Sequence, residues 1–402
     1  MSALQIYDPR ERRLVAAADR AISIGSAVRS AWRRAVRAPS PQRILLLRLE
    51  RIGDLLMALP AIQDVRQLAP NADIDVIVGS WNASLARMIS AVTRVETLDA
   101  NWLARGSSGQ GVGQLLRHAL TWRQRQYDFA INFEPDIRSN LLLAASGASF
   151  AAGYSTGGGG GLLDLAIEYN PRAHTSDNAR TLVAAVFGRG ANDDEPFRSL
   201  TIPESAKREA ALRLPSTQCG PLVGVHVSGG RAIKQWLPER FAEVARQLSS
   251  EQGATIVLTG GQEDAALVAT VTVALRGCRV IDLSGNLDLP TLAAILERLD
   301  LLVTGDTGPM HLAGAVGIPV VAVFGPSDPA RYALRGPHDR VVRVDLPCSP
   351  CNRIRRPPER CVGHTPDCLV SVTSASVFDA AISALAASGA LGAREPRVRH
   401  AQ

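Results

Sequence analysis

The segment Asp306-Thr307-Gly308-Pro309-Met310-His311 lies between two apolar runs, Leu299 to Gly305 and Ile318 to Gly325. An apolar run that ends in Gly-Asp-Thr-Gly, meets Pro and enters an Ala-rich stretch predicts a buried parallel strand feeding a helix N-terminus. Such a terminus turns free N–H groups and the positive end of the helix dipole toward the C-terminal edge of a sheet. Asp306, Thr307 and Gly308 are therefore a candidate anion site. The plainer alternative is that Asp306 only caps a crossover helix.

The same strand-to-helix grammar recurs. Apolar runs at Ile44 to Leu49, Ile74 to Val78, Phe129 to Phe133, Leu222 to Val227, Thr255 to Leu258, Arg279 to Asp282, Leu301 to Thr304 and Val320 to Phe324 alternate with helical stretches. This alternation predicts an α/β protein with parallel sheets and crossover helices. A length of 402 residues corresponds to about two or three domains, and 46% apolar residues is enough for full cores. The Pro-punctuated segment Asn192 to Cys219 is the expected junction. Gly157 to Gly161, five glycines in succession, reads as a mobile loop, either a lid or a tolerated insertion.

No apolar run approaches the roughly 20 residues that cross a bilayer, and Met1 to Arg10 has no signal-peptide pattern, so a cytoplasmic location is expected. The formal charge of +6 favours anionic partners. Arginines dispersed along the chain without an aromatic stacking pattern speak against nucleic acid. Arg10 to Arg37 belongs to an Arg-rich, partly amphipathic N-terminal stretch, either a solvated extension or a helix resting on an anionic membrane surface.

Of 44 basic residues only Lys207 and Lys234 are lysines. Lys234 stands in a glycine turn after the strand Leu222 to Val227, with Gly229, Gly230 and Arg231 before it. The glycines permit close backbone approach to a phosphate, and a lysine offers a compact mobile charge there. The competing reading is a surface loop lysine. A second glycine turn, Thr259-Gly260-Gly261-Gln262-Glu263, belongs to the same sheet edge, where Glu263 is placed to accept from ribose hydroxyls. Asp54 follows Gly53 after the first strand. It either caps the helix to Leu68 or serves as a general base. Cys348, Cys351, Cys361 and Cys368 form a C-x2-C-x9-C-x6-C cluster suited to a structural zinc or iron, or else four reduced thiols in a loop.

Taken in order, several motifs resemble glycosyltransferase family nine, the ADP-heptose:lipopolysaccharide heptosyltransferases. They are Arg48-Leu-Glu-Arg-Ile-Gly-Asp54 with Ala58-Leu-Pro60, His226 to Trp236, Leu258-Thr-Gly-Gly261, Asp306-Thr-Gly-Pro-Met-His-Leu-Ala313 and Phe324-Gly-Pro326. The resemblance runs from about residue 43 to 385 and implies the GT-B fold, two Rossmann-like domains whose parallel sheets face across a cleft holding the active site. It implies inverting transfer that requires no cofactor, with Asp54 as base. Lys234, the Asp306-Thr307-Gly308 turn and His311 would hold the donor diphosphate, with His226 and Gly261 in the same donor motifs.

The expected organisation is an Arg-rich extension over 1–42, an acceptor-side domain over 43–200, a donor domain over 201–385 containing the cysteines, and a flexible tail over 386–402. The expected partners are ADP-heptose or a similar nucleotide sugar and a saccharide of a cell-envelope glycolipid, with peripheral contact to the inner membrane. The sequence departs from the family at Val227-Ser228, where Pro-Gly is usual, and its acceptor-facing half matches weakly. A protein acceptor, a GT-B sugar-nucleotide epimerase and a catalytically idle binding subunit are the competing readings.

Overall fold

The computed structural model describes residues 13–20, 22, 40–103, 109–192, 200–215, 220–285 and 287–391. Much of the expected extension and tail, and Cys219, lie outside these residues. The chain divides into two compact units, residues 1–199 and 200–402.

Among the described residues the first unit carries six parallel strands: β1 (Arg43–Arg48), β2 (Asp73–Val78), β3 (Arg94–Thr97), β4 (Phe129–Asn132), β5 (Phe150–Tyr154) and β6 (Leu165–Ile167). Their order across the sheet is β3-β2-β1-β4-β5-β6. β1 is central, and Ile44 to Leu47 are wholly buried, as a strand covered by helices on both faces requires. The helix Ile52–Leu68 buries Leu55, Leu59, Ile62 and Val65 at helical spacing. It packs on the helix Thr175–Phe187, and an ion pair of 2.7 Å from Arg180 to Asp64 crosses that contact.

The glycine run is a loop, as its composition indicates, but a buried and well-bonded one. Gly157 to Gly159 are buried, and Gly160–Leu162 makes one 3-10 turn. A Cβ on Gly157 would stand 1.8 Å from the Pro135 carbonyl oxygen, so only glycine fits against that turn. Asn140 Nδ2 donates to Gly158 O at 2.9 Å. From the N-terminal stretch, helical over residues 13–20, Asp19 Oδ1 accepts from the Gly159 N–H at 2.7 Å.

The second unit repeats the plan with β7 (Leu222–His226), β8 (Thr255–Thr259), β9 (Val280–Asp282), β10 (Leu301–Gly305), β11 (Val320–Val323) and β12 (Arg340–Val342). All pair in parallel in the order β12-β11-β10-β7-β8-β9. Trp236, from the motif after β7, is a core residue. It is 1% exposed, meets Phe241 edge-on at 4.7 Å and donates from Nε1 to Val372 O at 3.2 Å.

In both units the strand order reverses direction beside the first strand, between β1 and β4 and between β7 and β10. This is the doubly wound Rossmann-like order, and ligands in such sheets bind beyond the strand C-termini at that switch point.

Candidate active site

The switch point of the first sheet lies between the turns after β1 and β4. Arg48 closes β1 and is 3% exposed. Its Nη1 reaches Glu50 Oε2 at 3.0 Å and its Nη2 reaches Asp54 Oδ1 at 3.5 Å. Its Nε donates to the Asp54 carbonyl at 3.2 Å, and Nη1 also donates to Phe133 O at the end of β4. Burial disfavours the Arg48 charge, but Glu50, Asp54 and Glu134 outweigh it and drive the guanidinium further up.

Asp54 is both a cap and an open carboxylate. Its Oδ2 accepts the Arg51 N–H at 3.1 Å, as the third residue of a helix does, while its side chain keeps 31% of its surface exposed. The turn before it is fixed from outside, because Trp81 Nε1 and Asn82 Nδ2 both donate to Glu50 O at 2.8 Å. The Arg51 guanidinium stacks on the Trp81 ring at 4.8 Å.

Beneath this turn lies Glu134, 2% exposed. It accepts from the Leu49 and Glu50 amides and from the Ser139 hydroxyl. Burial pushes the Glu134 carboxyl up, Arg48 and Ser139 pull it back only in part, and Asp136 adds to the rise. Arg138, after β4, pairs with Asp136 at 2.5 Å and lies 4.7 Å over the Trp102 ring.

At the switch point of the second sheet, Lys234 Nζ sits 2.9 Å from Asp306 Oδ2, with side-chain exposures of 19% and 11%. Lys234 is thus an ion-pair partner of the turn after β10, 72 residues away, and not a free loop lysine. Asp306 does not cap the following helix; Thr307 occupies that position, without a side-chain cap bond, and its Oγ1 lies 3.2 Å from Thr304 Oγ1. Burial pushes the Asp306 carboxyl up, but the Lys234 ammonium, a hydrogen bond with Ser327 and the nearby His311 together hold it below its ordinary value. The helix Gly308–Val316 starts there with Pro309 in its first turn, leaving an amide-rich terminus.

His226 ends β7, buried, with Nδ1 3.1 Å from Thr259 Oγ1. Burial lowers its pKa to about 4 despite the nearby Asp264, so the imidazole is neutral at pH 7. Gly229 and Gly230 are bound within their own loop: the Gly229 N–H donates to Gln235 Oε1 at 2.6 Å and the Gly230 N–H to Ser228 Oγ at 3.1 Å. A Cβ on Gly229 would press on the Lys234–Gln235 peptide at 2.7 Å, so this glycine closes the loop that carries Lys234. Arg231 and Glu263 are exposed, and the Gly261 N–H is taken by buried Asp264 at 2.8 Å.

Neither the role of Arg48 nor the parts played by Asp264, Gln235 and Ser327 follow from the sequence motifs. A charged residue that closes an otherwise apolar strand was the available signal for Arg48.

The four clustered cysteines share one neighbourhood. Burial pushes the Cys368 thiol up to about 11, and Cys351, Cys348 and Cys361 add to the rise. Among the described residues, however, no three Cys, His, Asp or Glu side chains converge so as to hold a metal ion.

The family model of glycosyltransferase family 9 (heptosyltransferase) matches residues 115–361, which is 247 of the 402 residues. The chain is similar to the lipopolysaccharide core heptosyltransferase OpsX of Haemophilus influenzae, 24% identical over 314 residues that cover 76% of this chain and 85% of that protein. It is similar also to lipopolysaccharide heptosyltransferase 2 of Escherichia coli, 26% identical over 316 residues covering 75% and 88%. In fold it matches the structure of E. coli ADP-heptose lipopolysaccharide heptosyltransferase II with a TM-score of 0.70, at 20% identity over 87% of this chain and 100% of that one. With the family match spanning more than half its length, the chain belongs to glycosyltransferase family 9, the heptosyltransferases.

Proposed function

We propose that this enzyme transfers heptose from ADP-heptose to a saccharide of a lipopolysaccharide-core-like glycolipid, with inversion at the anomeric carbon. The observation that carries the mechanism is a division of charge between the two units: an open carboxylate, Asp54, stands at the switch point of one sheet, and a pinned ammonium, Lys234, beside a helix N-terminus at that of the other.

The acceptor hydroxyl attacks the anomeric carbon as its bond to the diphosphate oxygen breaks, and the hydroxyl proton passes to Asp54. Negative charge gathers on the departing ADP. Lys234 spends one N–H on Asp306 and has two further donors for that charge, and the amides at Thr307 and Gly308 add the field of a helix terminus. Donors held in place before the reaction need no reorganisation when the bond breaks, which is where such electrostatic stabilisation is strongest. His226, being neutral at pH 7, supplies a hydrogen bond to the donor rather than charge. Arg231 and Glu263, both exposed, are assigned to the outer donor rim, with Gly261 and His311 in the same donor set.

The reading places the enzyme at the cytoplasmic face of the inner membrane, drawn there by its net charge of +6. No helix among the described residues is long and apolar enough to cross a membrane. The four thiols are a donor set that zinc or iron accepts. As described they do not converge on one ion, and no step of transfer is routed through a metal.

The test is to incubate the protein with ADP-heptose and a deacylated core glycolipid, following ADP release and the mass of the glycolipid. Omitting the acceptor separates transfer from epimerisation, which would change the nucleotide sugar by itself. A panel of UDP-sugars tests the donor.

A further inference from the structure

Each oxygen of Asp54 makes one contact within this chain while the side chain stays 31% exposed: Oδ2 takes the Arg51 N–H at 3.1 Å, and Oδ1 faces Arg48 Nη2 at 3.5 Å. The Asp54 main chain is tied to the same guanidinium, whose Nε donates to its carbonyl at 3.2 Å. Arg48 is the buried floor of this arrangement, with a side chain 4% exposed beneath Glu50 at 26% and Asp54 at 31%. A residue that only joined β1 to β4 would be satisfied by the Phe133 carbonyl and the neighbouring buried Glu134. Arg48 instead directs both outer nitrogens at two carboxylates that face solvent.

We propose that Arg48 is a positioning residue that fixes the Asp54 carboxylate for proton transfer, and that Glu50, sharing the same guanidinium, sets how much of its charge Asp54 receives. The inference rests on Asp54 being the base. A planar guanidinium serves Glu50, both Asp54 contacts and the Phe133 carbonyl at once, whereas a lysine ammonium cannot span that fork. The groups facing the pair are Arg51 on its own turn, Glu134, Asp136 and Arg138 after β4, and Tyr154 and Tyr169 from β5 and the segment after β6. Of these, Glu134 is sealed by the Leu49 and Glu50 amides and Ser139, and Asp136 is neutralised by Arg138. That leaves Glu50 as the competitor for Arg48.

The experiment measures kcat, KM and the pH dependence of kcat/KM with ADP-heptose and deacylated core glycolipid for Arg48→Lys, Glu50→Gln and Asp54→Asn. Arg48→Lys keeps the charge and loses the fork. Its kcat should fall by about 10- to 100-fold, the scale of a displaced catalytic group, while the ADP-heptose KM stays within about threefold. Glu50→Gln removes the carboxylate that competes with Asp54 for Arg48, so the acidic limb of its profile should move to lower pH. A fold defect would scale the whole profile without moving its limb. Because Glu50 is partly exposed, its variant carries the test even if Arg48→Lys fails to fold. An inactive Asp54→Asn with Glu50→Gln showing the parent's limb, or with folded Arg48→Lys showing the parent's kcat, overturns the inference alone and leaves the base in place. A fully active Asp54→Asn overturns the base assignment and this inference with it.

Discussion

Replacing Lys234 by Ala should cost the second unit a measurable part of its stability, because the lysine lies only 2.9 Å from a carboxylate that is itself 8% exposed. At that separation and an effective dielectric of about 20, the gross attraction is roughly 6 kcal/mol, much of it offset by desolvation of the two ions. The variant leaves Asp306 buried with Ser327 and His311 but without its ammonium, for which a loss of about 2 to 4 kcal/mol is expected. In a unit the size of residues 200–402 this lowers Tm by roughly 5 to 12 °C. The pH dependence carries a sign. In the parent, Asp306 is held below its ordinary pKa, so the stability it contributes is present above the usual carboxylate range and is lost as pH falls through the folded value. Without Lys234, burial is opposed only by Ser327 and His311, and the carboxyl rises. The folded variant then binds a proton more readily than the folded parent, and its Tm deficit should shrink between pH 7.5 and pH 5. Asp306→Asn should cost less, about 1 kcal/mol, because Lys234 can turn toward solvent. Thermal unfolding at the two pH values, with calorimetric titration of ADP at pH 7.5, makes the test. A Tm within about 2 °C of the parent at both pH values, with undiminished ADP affinity, refutes the account of Lys234.

Asp54→Asn keeps an acceptor for the Arg51 N–H, so its Tm should stay within a few degrees while kcat falls by about 10² or more; full activity would pass the role of base to Asp136 or Glu134. His226 is folded neutral with its pKa lowered to about 4, so the stability it lends is intact above the unfolded value near 6.5 and drains away as pH falls from there toward 4. His226→Gln should accordingly flatten the fall of Tm between pH 7 and pH 5, and an unchanged slope would count against a buried neutral imidazole. Because no three ligating side chains converge among the described residues, elemental analysis of untagged protein should find less than about a tenth of an equivalent of zinc or iron, and transfer should survive brief EDTA treatment. Close to one equivalent, lost in Cys348→Ser with Cys351→Ser, would show that the four thiols close on a metal.

The central strands were legible because a strand covered on both faces reads as an unbroken apolar run, as in Leu45-Leu46-Leu47 of β1 and Leu301-Leu302-Val303 of β10. β3, β5, β6 and β12 were not legible. Three of them are short edge strands, among them Arg-Val-Glu-Thr in β3, and β5 is built of Phe-Ala-Ala-Gly-Tyr, whose central Ala-Ala-Gly separates its two strand-favouring aromatics. The site divides along the same line. Turns after strands could be read from Gly, Asp and Thr, but what those side chains touch could not. The partner of Asp306 lies 72 residues away, and the partners of Glu134 lie across the sheet at Leu49 and Glu50. The packing of the glycine run was hidden for the same reason, since the carbonyl that forbids a Cβ on Gly157 belongs to Pro135 on another turn.

In the proposed sugar transfer one unit supplies the base and the other stabilises departing ADP. This division of labour is tested most directly by incubating parent, Asp54→Asn and Lys234→Ala with ADP-heptose and deacylated core glycolipid, and reading ADP release against product mass. The account predicts one ADP released for each heptose gained by the glycolipid in the parent, with both variants slowed by about 10² or more. ADP-heptose left intact by the folded parent, or converted without any gain in acceptor mass, would contradict it.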